Sequence, residues 1–206
     1  MRSDAELLDA WRGDDRAAGE ELFTRYYPLL LRFFANKIAG DPTDLIQETF
    51  LGCVAGQERL RDGRSFRSYL FSIAYHKLRD HYRSQRIDGL RFDPSRQTAA
   101  DLSPGPSTMM GENTQQQLLL HALRRIPLEH QIVLELFYWE GFTSSRIAEL
   151  MEEPSPTIRT RLRRARQLLT TALEDSATDP RVLEETLTDL DGWAAKIRAA
   201  HANPAS

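Results

Sequence analysis

Apolar residues recur at intervals of three and four along nearly the whole chain, and strand signals are nearly absent. That period gathers apolar side chains onto one stripe of a helix, so the sequence predicts an all-α protein. Ser3 and Glu6 read as a capping box opening a short helix with Leu7, Leu8 and Trp11 inward. A second helix opens near Asp15 and carries Leu22, Phe23, Tyr26, Leu30, Phe33, Phe34 and Ile38; Pro28 is expected to kink or break it. Gly40-Asp41-Pro42 ends that helix, and Thr43 or Asp44 opens the next, which runs through Val54. Arg59 to Ser65 reads as a polar loop. Phe66 to Arg86 is helical again, with Phe66, Leu70, Ile73, Ala74 and Leu78 as its stripe.

The period then lapses. Residues 88–113 hold Pro94, Pro104, Pro106, Gly105 and Gly111 among serines and threonines, a composition expected of a flexible linker. A second helical block follows, with helices expected at Gln115–Arg125, Glu129–Trp139, Thr143–Met151 and Ser155–Leu173. After Asp179-Pro180, the residues Leu183, Leu187, Leu190, Trp193 and Ile197 keep helical spacing. The expected organisation is therefore a helical domain at 1–87, a linker at 88–113, a second domain at 114–175 and a helical extension at 176–206.

Net charge over the 206 residues is −3, so any nucleic-acid binding has to come from local segregation of charge. The single cysteine, Cys53, excludes an internal disulfide and a CxxC zinc site. Its apolar neighbours Phe50, Leu51 and Val54 point to a packed core thiol. No apolar run approaches 18 residues and no basic-then-apolar leader is visible, so a cytoplasmic protein without membrane insertion is expected. The chain has no P-loop, GxSxG or HExxH, and its five histidines are scattered. An enzyme, a metal site or a cofactor is not expected.

Segregated charge is found at Ser155 to Arg166, SPTIRTRLRRAR, where five arginines fall within twelve residues and no acid lies among them. On a helix, Arg159, Arg163 and Arg166 share one face, flanked by Thr160 and Arg164. Ile158, Leu162, Ala165, Leu168 and Leu169 form the opposite, apolar stripe. Guanidinium forks suit phosphates and guanine edges. With the helical segment Thr143–Met151 ahead across a short turn, this is a candidate helix-turn-helix. The alternative is an exposed basic helix bound to acids within the protein.

Taken together, YYPLLLRFFANKIAGDPTDLIQETF with FRSYLFSIAYHKLRDHYRSQR, and ALRRIPLEHQIVLELFYWEGFTSSRIAELMEEPSPTIRTRLRRARQLL, resemble regions two and four of the extracytoplasmic-function sigma factors. The resemblance covers roughly Asp4 to Asp175. It implies a non-enzymatic protein that binds core RNA polymerase, recognises promoter DNA and helps open it. It places polymerase binding on Asp41, Asp44, Gln47 and Glu48, where the residues alone read rather as an ordinary solvated helix N-terminus. It places binding of the −10 element and the melted strand on Arg59, Arg61, Arg64, Tyr69, Tyr75, His76, Arg79, Tyr82 and Arg83. Cations there would follow phosphates and aromatic faces would hold unstacked bases, although most of these aromatics could instead be core. His76 stands where the family usually has asparagine and Tyr69 where it usually has tryptophan, and both departures bear on the −10 preference. Reading of the −35 element falls to Thr157, Arg159, Thr160, Arg163 and Arg164. Arg161 and Arg166 are expected on phosphates or neighbouring acids. Pro156 replaces a usual glycine, which a first helical turn tolerates.

Two features are not settled by the resemblance. Pro42-Thr43 stands where the family commonly has an acid pair, so phosphorylation of Thr43 by a serine/threonine kinase would restore negative charge; alternatively Thr43 only caps its helix. The extension at 176–206 exceeds the family's minimal length and either enlarges the second domain or regulates it. An anti-sigma factor is a further expected partner. The competing function is a helix-turn-helix regulator that never joins polymerase, which would leave DLIQETF and the basic-aromatic helix without a role.

Overall fold

The computed structural model describes residues 2–56, 66–84, 92–102, 114–176 and 192. Among these the secondary structure is helical, with one isolated bridge between Thr98 and Pro127 and no strand. The chain divides into two compact units, residues 1–34 with 42–85, and residues 35–41 with 86–206. The loop at 59–65, and with it Arg59, Arg61 and Arg64, lies outside the described residues, as does the extension beyond Ser176 apart from Gly192.

The first unit is built from α1 (Asp4–Arg12), α2 (Arg16–Ala35), α3 (Thr43–Ala55) and α4 (Phe66–Ser84). Ser3 caps α1 through the expected reciprocal box: its hydroxyl accepts from the Glu6 N–H, and the Glu6 carboxylate accepts from the Ser3 N–H at 2.6 Å. Pro28 does not break α2, which runs continuously from Arg16 to Ala35. The reason is packing. Leu22, Tyr26, Leu30, Phe33 and Phe34 are all buried along one stripe; each such side chain contributes about 1.5–3 kcal/mol, against about 3 kcal/mol for an internal proline. Phe33 meets Phe71 of α4 edge-on at 5.6 Å, and Phe66 meets both Trp11 and Tyr26.

Helices α3 and α4 approach closely over two glycines. A Cβ on Gly56 would stand 1.8 Å from the Tyr69 hydroxyl oxygen, and one on Gly52 would stand 2.9 Å from Cγ2 of Ile73. Cys53, between them, is fully buried, and burial pushes its thiol up to about 12. It is the packed core thiol expected.

The second unit holds α5 (Ala99–Leu102), α6 (Thr114–Arg124), α7 (Leu128–Tyr138), α8 (Ser144–Met151) and α9 (Ser155–Ser176). The flexible linker expected at 88–113 needs correction over its described part, 92–102, which is folded. The Asp93 carboxylate accepts from the Ser95 N–H at 3.0 Å. Thr98 and Asp101 then form a second capping box, the hydroxyl accepting from the Asp101 N–H and the carboxylate from the Thr98 N–H. The Gln97 carbonyl accepts from the Leu128 N–H at 2.9 Å, and Ala99 is buried.

Residues 35–41 belong to this unit as well. Lys37 is fully buried in an ion pair with Glu135, whose other carboxylate oxygen accepts from the Gln131 amide at 2.9 Å. Arg124 donates to the Asn36 carbonyl at 3.1 Å. Such buried charges are tolerated because each has a partner.

Candidate nucleic-acid interface

Helices α8 and α9 form the helix-turn-helix. The Thr143 hydroxyl caps α8 by accepting from the Arg146 N–H at 3.2 Å. Glu152 ends α8 in a left-handed conformation (φ 57°, ψ 40°), its N–H turning back to the Ala148 and Glu149 carbonyls. Three residues, Glu152–Pro154, separate the helices. Ile147, Ala148, Leu150 and Met151 are buried, as are Ile158, Leu162, Ala165 and Leu169 of α9. The apolar stripe read from the sequence is thus the packed side of α9.

Its five arginines divide by partner. Arg161 is mostly buried and pairs with Glu129 of α7 at 2.9 Å and with Glu153 of the turn at 2.8 Å. It therefore meets neighbouring acids and ties α9 to both elements. Arg166 lies over the rings of Phe137 and Tyr138, 5.7 and 5.4 Å from their centroids, and is itself exposed. Arg159, Arg163 and Arg164 are exposed, together with Thr157 and Thr160, and none of these three arginines has an acidic partner among the described residues. The helix so divides into Arg161, held in ion pairs, Arg166, exposed against two rings, and an available set.

On α4 the exposure also selects. Tyr75 and Tyr82 are 1% exposed, which corrects their expected role: neither ring has a face left for a base. Both lie in register with Phe71, Ala74 and Leu78 on the buried side. Tyr75 is covered further by Arg79, whose guanidinium lies 5.4 Å from the ring centroid. Tyr69, His76 and Arg79 are half-buried and Arg83 is exposed. Their positions i, i+7, i+10 and i+14 fall on the side of α4 opposite its core stripe.

On α3 the residues Asp44, Gln47 and Glu48 are exposed, as is Asp41 ahead of it. Glu48 pairs with Lys77 of α4 at 3.1 Å. The cap position belongs to Pro42, without a side-chain cap bond, so Thr43 is the first helical residue and not the cap. The same face continues into Leu51 and Val54, 67% and 48% exposed.

Residues 22–87 match Sigma-70 region 2, and residues 116–169 match Sigma-70, region 4. The chain belongs to the extracytoplasmic-function RNA polymerase sigma factors. This sigma factor is 26% identical over 175 residues to the ECF RNA polymerase sigma factor BldN of Streptomyces coelicolor, a match covering 84% of this chain and 66% of BldN. It is 31% identical over 126 residues to the probable RNA polymerase sigma factor RfaY of Xanthomonas campestris, covering 60% and 32%. The chain thus spans less than two thirds of the length of these two curated relatives. A solved structure of the sigma factor RpoE from Bartonella quintana, in complex with the anti-sigma factor NepR, shares the fold; the TM-score is 0.55 at 23% identity, covering 75% of this chain and 95% of that one.

Two features of this sigma factor escaped the sequence reading. Leu51 and Val54 read in the sequence only as apolar neighbours of Cys53, although their spacing from Gln47 and Glu48 places apolar groups on a polar face. The burial of Tyr82 was also signalled: it follows Tyr75 by seven residues and Leu78 by four, the spacing of a shared stripe. No helix among the described residues is long and apolar enough to cross a membrane.

Proposed function

We propose that this sigma factor directs core RNA polymerase to promoters through both units and assists opening of the DNA. In the second unit, α9 lies in the major groove of the −35 element. Arg159 and Arg163 read base edges from one side of the helix, with Thr157, Thr160 and Arg164 on the other. In the first unit, Tyr69, His76, Arg79 and Arg83 hold the −10 region, joined by Arg59, Arg61 and Arg64. Polymerase docks on Asp41, Asp44, Gln47 and Glu48, with Leu51 and Val54 supplying the apolar part of that surface. The observation that carries the reading is the exposed arginine set of α9, without acidic partners while Arg161 fixes the helix through Glu129 and Glu153.

An anti-sigma factor is proposed as a control partner, since an apolar edge needed by polymerase is one that an inhibitor can cover. Thr43 is proposed as a phosphorylation position. It opens α3 beside Asp44, where a phosphate adds charge to the docking surface and opposes the helix dipole favourably. A location in the cytoplasm follows from the proposed partner.

Run-off transcription with core polymerase on a genomic promoter library tests the proposal. Transcripts should start downstream of a shared pair of elements. Arg163→Ala should relax selection at one −35 position by roughly 1–3 kcal/mol. Transcription without a shared upstream element, or unchanged selection by the variant, would remove α9 from the promoter.

A further inference from the structure

An open cleft of about 510 Å³ lies between the first turns of α7 and α9, lined by His130, Pro156, Thr157, Thr160, Arg161 and Arg164. Its chemistry is that of an anion site. Arg161 forms a wall and is engaged by two carboxylates, Glu129 and Glu153, so it brings no free positive charge to the cleft. Arg164 has no acidic partner among the described residues and donates at 3.4 Å, a weak contact, to the Gln167 amide oxygen. Thr157 and Thr160 present exposed hydroxyls one turn apart. Pro156 has no N–H to offer, so side chains supply the donors.

His130 completes the lining. Its Nδ1 is sealed from solvent and has no hydrogen-bond partner among the described residues, so Nε2 is the ring atom left to meet a ligand. Burial first, then the neighbouring Arg161 and Arg164, bring the imidazole down to about 4. At neutral pH the ring is therefore uncharged, and its Nε2–H tautomer is the one that can donate into the cleft. It is a donor that adds no repulsion against Arg164.

Helix geometry separates this edge from the base-reading one. Thr157, Thr160 and Arg164 stand at i, i+3 and i+7 on the α7 side of α9, whereas Arg159 and Arg163 occupy the other margin of its exposed surface. A helix seated in the major groove turns one margin toward base edges and passes phosphates along the other. We propose that the cleft is a phosphate seat, in which one backbone phosphate of the bound duplex is held by the Arg164 guanidinium, the Thr157 and Thr160 hydroxyls and His130 Nε2–H. The proposal rests on the reading of α9 as a duplex reader. It adds His130, assigns Arg164 to the backbone, and leaves Arg159 and Arg163 as base readers.

The test replaces each phosphate of the selected −35 duplex in turn by a neutral methylphosphonate and measures binding by holoenzyme carrying the full chain. At one linkage the replacement should weaken the wild type about tenfold, the loss expected of a charge-assisted hydrogen bond. The same replacement should cost His130→Phe and Arg164→Gln less than about half as much, because the contact is already gone. His130→Gln, which keeps an N–H donor, should respond as the wild type does. Each comparison is a ratio within one variant, so a general loss of stability cancels. If His130→Phe and Arg164→Gln feel every linkage as the wild type does while Arg163→Ala relaxes sequence preference, the seat is wrong and the reading of α9 stands. If Arg163→Ala is silent as well, α9 is not on the duplex and both fall.

Discussion

Glu152 holds a backbone conformation that its side chain opposes. Its left-handed φ of 57° closes the turn between α8 and α9, at a cost of about 1–2 kcal/mol for a residue with a Cβ. Glu152→Gly removes that cost and adds back part of it through the freer unfolded chain, a net gain of about 1 kcal/mol. In a unit of this size the unfolding midpoint should rise about 3–5 °C by calorimetry; an unchanged or lower midpoint would show that the carboxylate contributes more than the strain. Thr43 makes a second residue-level case. If its phosphate serves docking, Thr43→Glu should bind core polymerase more tightly than Thr43→Ala, and equal affinities discard the switch. At this scale the sequence was legible where a residue's neighbours in the chain decide its role. The box of Ser3 and Glu6 and the burial of Cys53 both followed from local pattern. It was not legible where a partner lies elsewhere in the fold: Arg166 over Phe137 and Tyr138, or which two of the acids Arg161 meets, Glu129 and Glu153.

The α3–α4 pair shows how two elements can depend on the absence of a side chain. Gly56 ends α3 against the Tyr69 hydroxyl, with 1.8 Å available to any added Cβ. Gly56→Ala should therefore push Tyr69 off its seat and destabilise the first unit by roughly 1–3 kcal/mol. Tyr69→Phe in the same chain removes the clashing oxygen, so the double variant should recover most of the loss in denaturant unfolding. Simple additivity would mean that the hydroxyl is not what the glycine accommodates. Helix limits were readable from the sequence to within a few residues, since they depend on periodicity and caps. Two elements escaped for opposite reasons. Continuity through Pro28 depends on a buried row of five side chains whose summed burial no local rule records. Helix α5 spans Ala99–Leu102, one turn, too short to show any period.

A chain with 27 basic and 30 acidic residues has no long-range pull on DNA, so its affinity for a duplex must come from a few placed cations. The sequence shows five arginines between Ser155 and Arg166, but the fold engages Arg161 with two acids and lays the exposed Arg166 over two rings, leaving Arg159, Arg163 and Arg164. Each phosphate neutralised contributes about −0.9 to the slope of log affinity against log salt. For the isolated full chain on a duplex carrying only the −35 element, three cations limit that slope to about −3, a limit that Arg159 and Arg163 fill only as far as they also neutralise phosphates beside the bases they read. Counting all five from the sequence would put it near −4.5. Fluorescence anisotropy across a salt series separates the two, and a slope steeper than about −4 would show that the paired arginines leave Glu129, Glu153 and the aromatic rings on binding. A shallow slope also means weak binding by this unit alone at physiological salt. Tight, selective placement then requires the −10 contacts and polymerase to act with it, because linked sites multiply their affinities only when all are engaged. Holoenzyme on a complete promoter should accordingly show a steeper slope than the isolated chain on either element.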